Sequence, residues 1–160
     1  MLMSEEPFKL YMESVAEKLQ KAFRQEKEIQ IAARWIANCL KNEGWIYTAG
    51  TGHSHILAEE IFYRAGGFAR IRPVFDEALM LHKNATASTE VERTEGYAGK
   101  LLKQYPISPL DVFFISSNSG RNPVPIEMAQ LAQKKGAKVI AITNLRHSKS
   151  VDSRHSSGLK

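Results

Sequence analysis

One cysteine in 160 residues, Cys39, excludes an internal disulfide, and it lies within an apolar helical pattern. Such a chain suits a reducing compartment, and a cytoplasmic location is the expectation. No apolar run is long enough to cross a bilayer, and the opening residues MLMSEEPFKL lack the basic start and apolar block of a secretory signal. No membrane partner is expected. The sequence holds no Walker A pattern, and no Asp, Glu or Cys set completes His53-x-His55 at metal-ligand spacing. Neither a metal nor a cofactor is expected. Lys and Arg (22) exceed Asp and Glu (17), giving a formal charge of +5 and a pI near 9.4. These cations are scattered, without a basic block interleaved with aromatics, which argues against nucleic acid. A positive chain of this kind also suits phosphorylated small molecules. The densest basic stretch, Arg146 to Lys160, is rich in Ser and His and reads as a solvated terminus.

What is present suffices for one domain with a real core, since 43% of the residues are hydrophobic and 24% charged. Phe8, Met12, Val15, Leu19, Ala22, Ile29, Ala33, Ile36 and Leu40 recur at three- and four-residue steps, predicting helix from Glu5 to Asn42. Ser4 is the expected N-cap, Glu5 and Glu6 favour the first turn, and Gly44 is the expected stop. The polar run Arg24–Glu28 interrupts the stripe, so the segment reads equally as two helices with a break. A stripe of this length points to self-association, as a homodimer or tetramer through these helices, with packing on the chain's own sheet as the plain alternative. Residues 1–43 therefore read as a helical segment, and 44–160 as an α/β domain.

After Gly44 the period changes. Trp45–Ala49 is a short β-favouring run that ends in Gly50-Thr51-Gly52-His53-Ser54, and a helical pattern through Ile56, Leu57, Ile61 and Phe62 follows. Ile71–Phe75 reads as an edge strand because of Pro73. Asp76 to Lys83 reads as a short helix and Asn84–Ser88 as loop. Thr89 with Glu92 has the spacing of a capping box opening a helix towards Tyr105. Val112–Ile115 is the clearest buried strand, followed by the polar loop Ser116–Asn122. Asn122 has the place of an N-cap, with Pro123 at the first position of a helix to Gly136. Val139–Ile142 is the last strand. Strand alternating with helix implies a three-layer αβα fold around a parallel sheet, with the loops after the strands gathered at one edge.

Ser116-Ser117-Asn118-Ser119-Gly120 sets three hydroxyls between a buried strand and a helix N-terminus. Neutral donors, a glycine that lets the backbone approach closely, and unpaired helical N–H groups suit a phosphate dianion without a lysine. Serines also serve as plain turn formers and caps, but three together after such a strand favour an anion site. Gly50-x-Gly52-x-Ser54 is weaker alone. It lacks the third glycine of a dinucleotide fingerprint, whose place His55 takes, although Asp76 follows the second strand where a ribose-binding acid would stand.

The segments Gly50–Ser54 with Ala58 and Gly66-Gly67, Ile115–Gly120, and Gly136–Asn144, in that order, resemble the sugar isomerase (SIS) domain. The resemblance is to the SIS proteins grouped with phosphoheptose isomerase and N-acetylmuramic acid 6-phosphate etherase. It implies a flavodoxin-like parallel sheet of five strands with the two loops on neighbouring strands. It also implies a sugar phosphate as ligand, held by Ser116, Ser117, Ser119, Gly120 and Asn122, with Gly52 and Ser54 near the sugar. Asn122 stands where the family often has Ser or Thr. The family domain continues past Thr143 through a further helix and strand, whereas the stretch to Lys160 holds no strand-like run. An SIS domain short of its last strand is thus expected, with Val139–Ile142 at the sheet edge.

Isomerising an aldose to a ketose, or eliminating an ether beside a carbonyl, needs a base for a carbon-bound proton, usually Glu, sometimes with His. Glu59 and Glu60 follow the first loop, and helical geometry lets at most one point inward. Exposure is favoured for Glu59 and evenly balanced for Glu60; Glu95 is a weaker candidate. His53 and His55 are candidates for contact with the sugar or for proton transfer, while His82, His147 and His155 read as surface residues. The expected function is a phosphosugar isomerase-like enzyme, and the alternative is a sugar-phosphate sensor without turnover.

Overall fold

The computed structural model of the chain describes residues 6–160. The N-cap assigned to Ser4 and the first-turn role of Glu5 fall outside the described residues. Helices α1 (Glu6–Phe23) and α2 (Glu26–Lys41) are separated at Arg24-Gln25, where the polar run interrupts the apolar stripe. The chain divides into two units, the first ending at Arg34 and the second running Trp35–Lys160. The last turns of α2 belong to the second unit.

Helix α2 stops differently from the sequence expectation. Glu43, at φ 58°, takes the left-handed position, and the Gly44 N–H returns to the Cys39 carbonyl at 2.8 Å. Gly44 is needed for space instead. A Cβ there would lie 2.8 Å from Cys39 Sγ and 2.9 Å from the Leu110 carbonyl carbon.

Strands β1 (Ile46–Gly50), β2 (Ile71–Pro73), β3 (Val112–Ser116) and β4 (Lys138–Ile142) are all parallel, in the order β2-β1-β3-β4. Pro73 lies on an edge strand, as its missing N–H requires, and β4 is the opposite edge. Alternation along the central strands divides the core into two layers. Tyr47, Ala49, Phe113 and Ile115 face α5 (Tyr97–Leu101) and α6 (Pro123–Lys134), packing with Ala98, Leu101, Val124 and Met128. Ile46 and Val112 lie in the other layer, with Cys39, Trp35 and Leu40 of α2 and Ile61 of α3 (His55–Ile61). The fold is therefore a three-layer αβα arrangement. Buried Asp111 fastens the start of the central strands by accepting the Trp45 N–H at 2.7 Å and the Ser108 N–H at 2.7 Å.

Two local expectations are corrected. Asp76 to Lys83 forms one 3-10 turn, Glu77–Leu79, because Asp76 caps it through the Ala78 N–H and Met80 is already extended. Helix α4 (Ala85–Val91) begins where loop was expected, capped by Asn84, which accepts the Ala87 N–H at 3.0 Å. Thr89 then lies inside that helix, donating to the Ala85 carbonyl, and no capping box with Glu92 forms. Gly96, at φ 79°, separates α4 from α5. Helix α7 (Leu145–Ser150) follows β4 under an Asn144 cap. Among the described residues no helix is long and apolar enough to cross a membrane.

Candidate functional site

Parallel pairing sets Gly50 opposite Ser116 and Ser116 opposite Ile142, so the loops after β1, β3 and β4 leave the sheet side by side. Tight local bonding holds them together. Ser116 Oγ donates to the Ser54 carbonyl at 2.7 Å, joining the first and second loops. The Ser117 N–H donates to the Ile142 carbonyl at 3.0 Å, and the Asn144 N–H to the Asn118 carbonyl at 3.0 Å. Between them lies an open cleft of about 260 Å³ lined by Ser54, Leu57, Ser116, Ser117, Asn118 and Thr143, among others.

Within the serine loop the three hydroxyls differ. Ser116 is buried and its proton is engaged by Ser54. Ser117 Oγ accepts the Gly120 N–H at 3.1 Å, which fixes the turn and leaves the hydroxyl proton free to donate outward. Ser119 is half-buried on the same turn. Gly120 has a φ of 60°, and α6 starts three residues on with its dipole directed at this end of the sheet. The unpaired helical N–H groups expected from the sequence are not there: Pro123 and Pro125 have none, and those of Val124 and Ile126 bond the Glu92 and Asn122 carbonyls at 3.2 and 3.4 Å. Asn122 holds the N-cap backbone position, but its side chain does not cap. Its Nδ2 donates to Glu92 Oε1 at 2.5 Å, and its Oδ1 accepts from Arg154 Nη1 at 2.9 Å.

Glu92 is the residue the sequence reading missed. Its Oε2 lies 3.7 Å from where a Cβ of Gly52 would be, so this carboxylate sits between the first loop and the end of the second. Its place depends on the end of α4 meeting the start of α6, where the Val124 N–H bonds the Glu92 carbonyl at 3.2 Å. No local pattern announces that meeting.

On the first loop, His53 is exposed and His55 is buried. His55 Nδ1 is 2.5 Å from the Gly52 carbonyl, and its Nε2 is 3.3 Å from Glu59 Oε1. A carbonyl only accepts, so Nδ1 presents its N–H to Gly52, which leaves Nε2 turned towards the Glu59 carboxylate. Glu60 turns outward to Arg64, with its side chain 62% exposed. Glu59 thus lies beside the histidine but is itself exposed, its side chain 47% open to solvent, as the sequence favours for it, and Glu60 is exposed too. The His82 ring lies tilted beside that of His55, their centroids 5.9 Å apart. Glu95 is engaged elsewhere: the hydroxyl and N–H of Ser156 bond its carboxylate and hold it below the usual carboxylate range. His155 is not a free surface group, since it lies 3.5 Å from Glu127 with both side chains largely covered.

The fold is similar to solved phosphoheptose isomerases. That of Francisella tularensis aligns with a TM-score of 0.66 at 18% identity, over 96% of this chain and 83% of the other. That of Neisseria gonorrhoeae aligns with a TM-score of 0.53 at 20% identity, over 93% and 84%. In sequence, a UPF0309 protein of Geobacillus thermodenitrificans is 47% identical over 149 residues, 92% of this chain and 60% of its own length. A UPF0309 protein of Listeria monocytogenes is 49% identical over 130 residues, 81% of this chain and 53% of its own. The chain thus spans little more than half the length of these curated relatives. The family model that matches, over residues 10–144, takes in all four strands and the three loops that meet at their ends, and by that match the chain belongs to the SIS domain family.

Proposed function

We propose that this chain binds a sugar phosphate in the cleft between the first and second loops and acts on it as an isomerase-like enzyme. The observation that carries this reading is the Ser116–Ser54 bond, which holds a donor-rich loop at a helix N-terminus against the loop bearing His55. The phosphate would take the Ser117 and Ser119 hydroxyls and the N–H groups around Gly120. Gly52, Ser54, Asn122 and Glu92 would face the sugar. The His55–Glu59 pair would then remove a proton from the carbon beside the carbonyl and return it to the former carbonyl carbon, with Glu59 as the base. The hydroxyl proton of the first carbon would pass to the former carbonyl oxygen. The similarity to phosphoheptose isomerases supports this reaction class. The apolar stripe of α1, through Phe8, Met12, Val15 and Leu19, supports assembly into a homodimer or tetramer.

A panel of sugar phosphates in a thermal-shift measurement tests the site. A sugar phosphate should raise the melting temperature where the unphosphorylated sugar does not, and the double variant Ser117→Ala/Ser119→Ala should lose the rise. A panel without effect removes the proposal. For any ligand found, exchange of a substrate C–H with deuterated water separates an enzyme from a sensor without turnover.

A further inference from the structure

Polar contacts do not end at the serine loop. Glu92, beside Gly52, accepts from Asn122 Nδ2, and Asn122 Oδ1 accepts from Arg154 Nη1 at 2.9 Å. The Arg154 N–H closes the chain on the Arg121 carbonyl at 2.8 Å. Arg121 follows Gly120 directly, and Arg93 follows Glu92. The Arg154 guanidinium thus meets Glu92 through Asn122, whose Nδ2 bonds Glu92 Oε1, and the charges of Arg93 and Arg121 lie near enough to act on it. Burial first, then the positive charges of Arg93 and Arg121, hold Arg154 below the ordinary guanidinium value, against the pull of Glu92. Arg121 also has a buried Nε with no hydrogen-bond partner. Buried donors are rarely left this way in a finished structure, and a guanidinium offers five donors in a plane that matches a carboxylate or phosphate.

We propose that Arg121 and Arg154, with Arg93 beside them, form a second anion-binding position at the rim of the cleft. The natural ligand would then be a sugar phosphate bearing another acidic group, a carboxylate or a second phosphate. This rests on the sugar-phosphate reading above and narrows it. The serine loop meets its phosphate with neutral hydroxyls and backbone N–H groups, so it gives no reason for three cations next to it. A second anion does. The loop would hold one end of the ligand and the arginines the other acidic group, with Glu92 and Asn122 keeping the guanidinium groups in place.

The test compares three ligands on the full chain by calorimetric titration at fixed ionic strength. These are a hexose monophosphate, the matching aldonic acid phosphate, and a hexose bisphosphate. At least one of the last two should bind about ten-fold or more tightly than the monophosphate, as charge-assisted pairing implies. Which one does so distinguishes a carboxylate from a second phosphate. In Arg121→Gln/Arg154→Gln, checked for folding by circular dichroism, the ratio should fall close to one. Arg93→Gln should lower it in part. Measurable monophosphate binding with a ratio near one in the native chain overturns this inference and leaves the proposed function standing. A ratio that survives the double variant also overturns it, because the second anion then sits elsewhere. Failure of every sugar phosphate to bind overturns the reading on which it rests.

Discussion

The hydroxyl of Ser116 donates to the carbonyl of Ser54 at 2.7 Å, across 62 positions of sequence, and so turns two separate loops into one wall of a cleft. Ser116 ends β3 and Ser54 closes the turn after β1, and the register brings Gly50 opposite Ser116. Removing the hydroxyl leaves a carbonyl in a largely dry place without its donor. Ser116→Ala should therefore cost about 1–3 kcal/mol in stability. It should also weaken sugar-phosphate binding, because the loops lose their relative position. Urea denaturation gives the first effect and ligand titration the second. A variant with native stability and native affinity would show that the bond organises nothing.

Glu59 and Glu60 are exposed neighbours with different partners. Glu59 lies 3.3 Å from His55 Nε2, while Glu60 pairs with Arg64. Glu59→Gln should slow exchange of the substrate C–H with deuterated water by about 10²–10⁴-fold, the usual contribution of a positioned base. Glu60→Gln should leave it within about two-fold of native, as expected of a screened surface pair. The opposite ranking would move the base to the other carboxylate.

That pair illustrates what was legible in the sequence and what was not. Val112–Ile115 and the serines after it could be read because a buried strand and a donor-rich turn are local patterns. The parallel sheet followed from the β-loop-helix rhythm, and the order of its strands from the resemblance alone. Asn84 and Thr89 both have cap chemistry, and only the fold decides that the helix starts after Asn84, inside a stretch that reads as loop, rather than at Thr89. Glu92 was legible only as a helix-start residue, because its contact with Asn122 joins elements 30 positions apart. The direction of Glu59 depends likewise on where the His55 ring is held, and that is fixed by the carbonyl of Gly52.

Alkaline pH offers a separate check on the packing. Tyr97 donates to Asp76 Oδ2 at 2.7 Å, and burial, that bond and the Asp76 charge push its pKa up to about 12. The unfolded chain releases this proton near the ordinary tyrosine value of 10.0. Between those values the folded state keeps a proton that the unfolded state has lost. The contribution is therefore fully present below about pH 10 and falls away as pH rises towards about 12. Tyr97→Phe should make the stability curve flatter over that window. Some slope will remain, because burial also raises Tyr47 and Tyr105. Urea midpoints measured at stepped pH for both proteins check this, and parallel curves would remove Tyr97 as a source.

The two glycines of the first loop are there for different reasons, and alanine should separate them. A Cβ on Gly50 would lie 2.6 Å from the Ser54 carbonyl carbon and 2.9 Å from the His55 nitrogen, both backbone atoms that cannot rotate away. The same Ser54 carbonyl accepts from Ser116, so Gly50→Ala must displace the junction between the loops. Gly52 has open space, its nearest neighbour being Glu92 Oε2 at 3.7 Å, but it has a φ of 57°. Alanine there meets only the left-handed backbone penalty, about 1–2 kcal/mol. Gly50→Ala should accordingly lose more stability than Gly52→Ala, by about 1 kcal/mol or more as a clash against fixed backbone implies. It should also lose sugar-phosphate binding, whereas Gly52→Ala should bind measurably while folded. Denaturation and titration of the two variants side by side decide it. Equal losses would mean that the first loop yields to a side chain at Gly50, and that its grip on Ser116 is looser than the 2.7 Å bond implies.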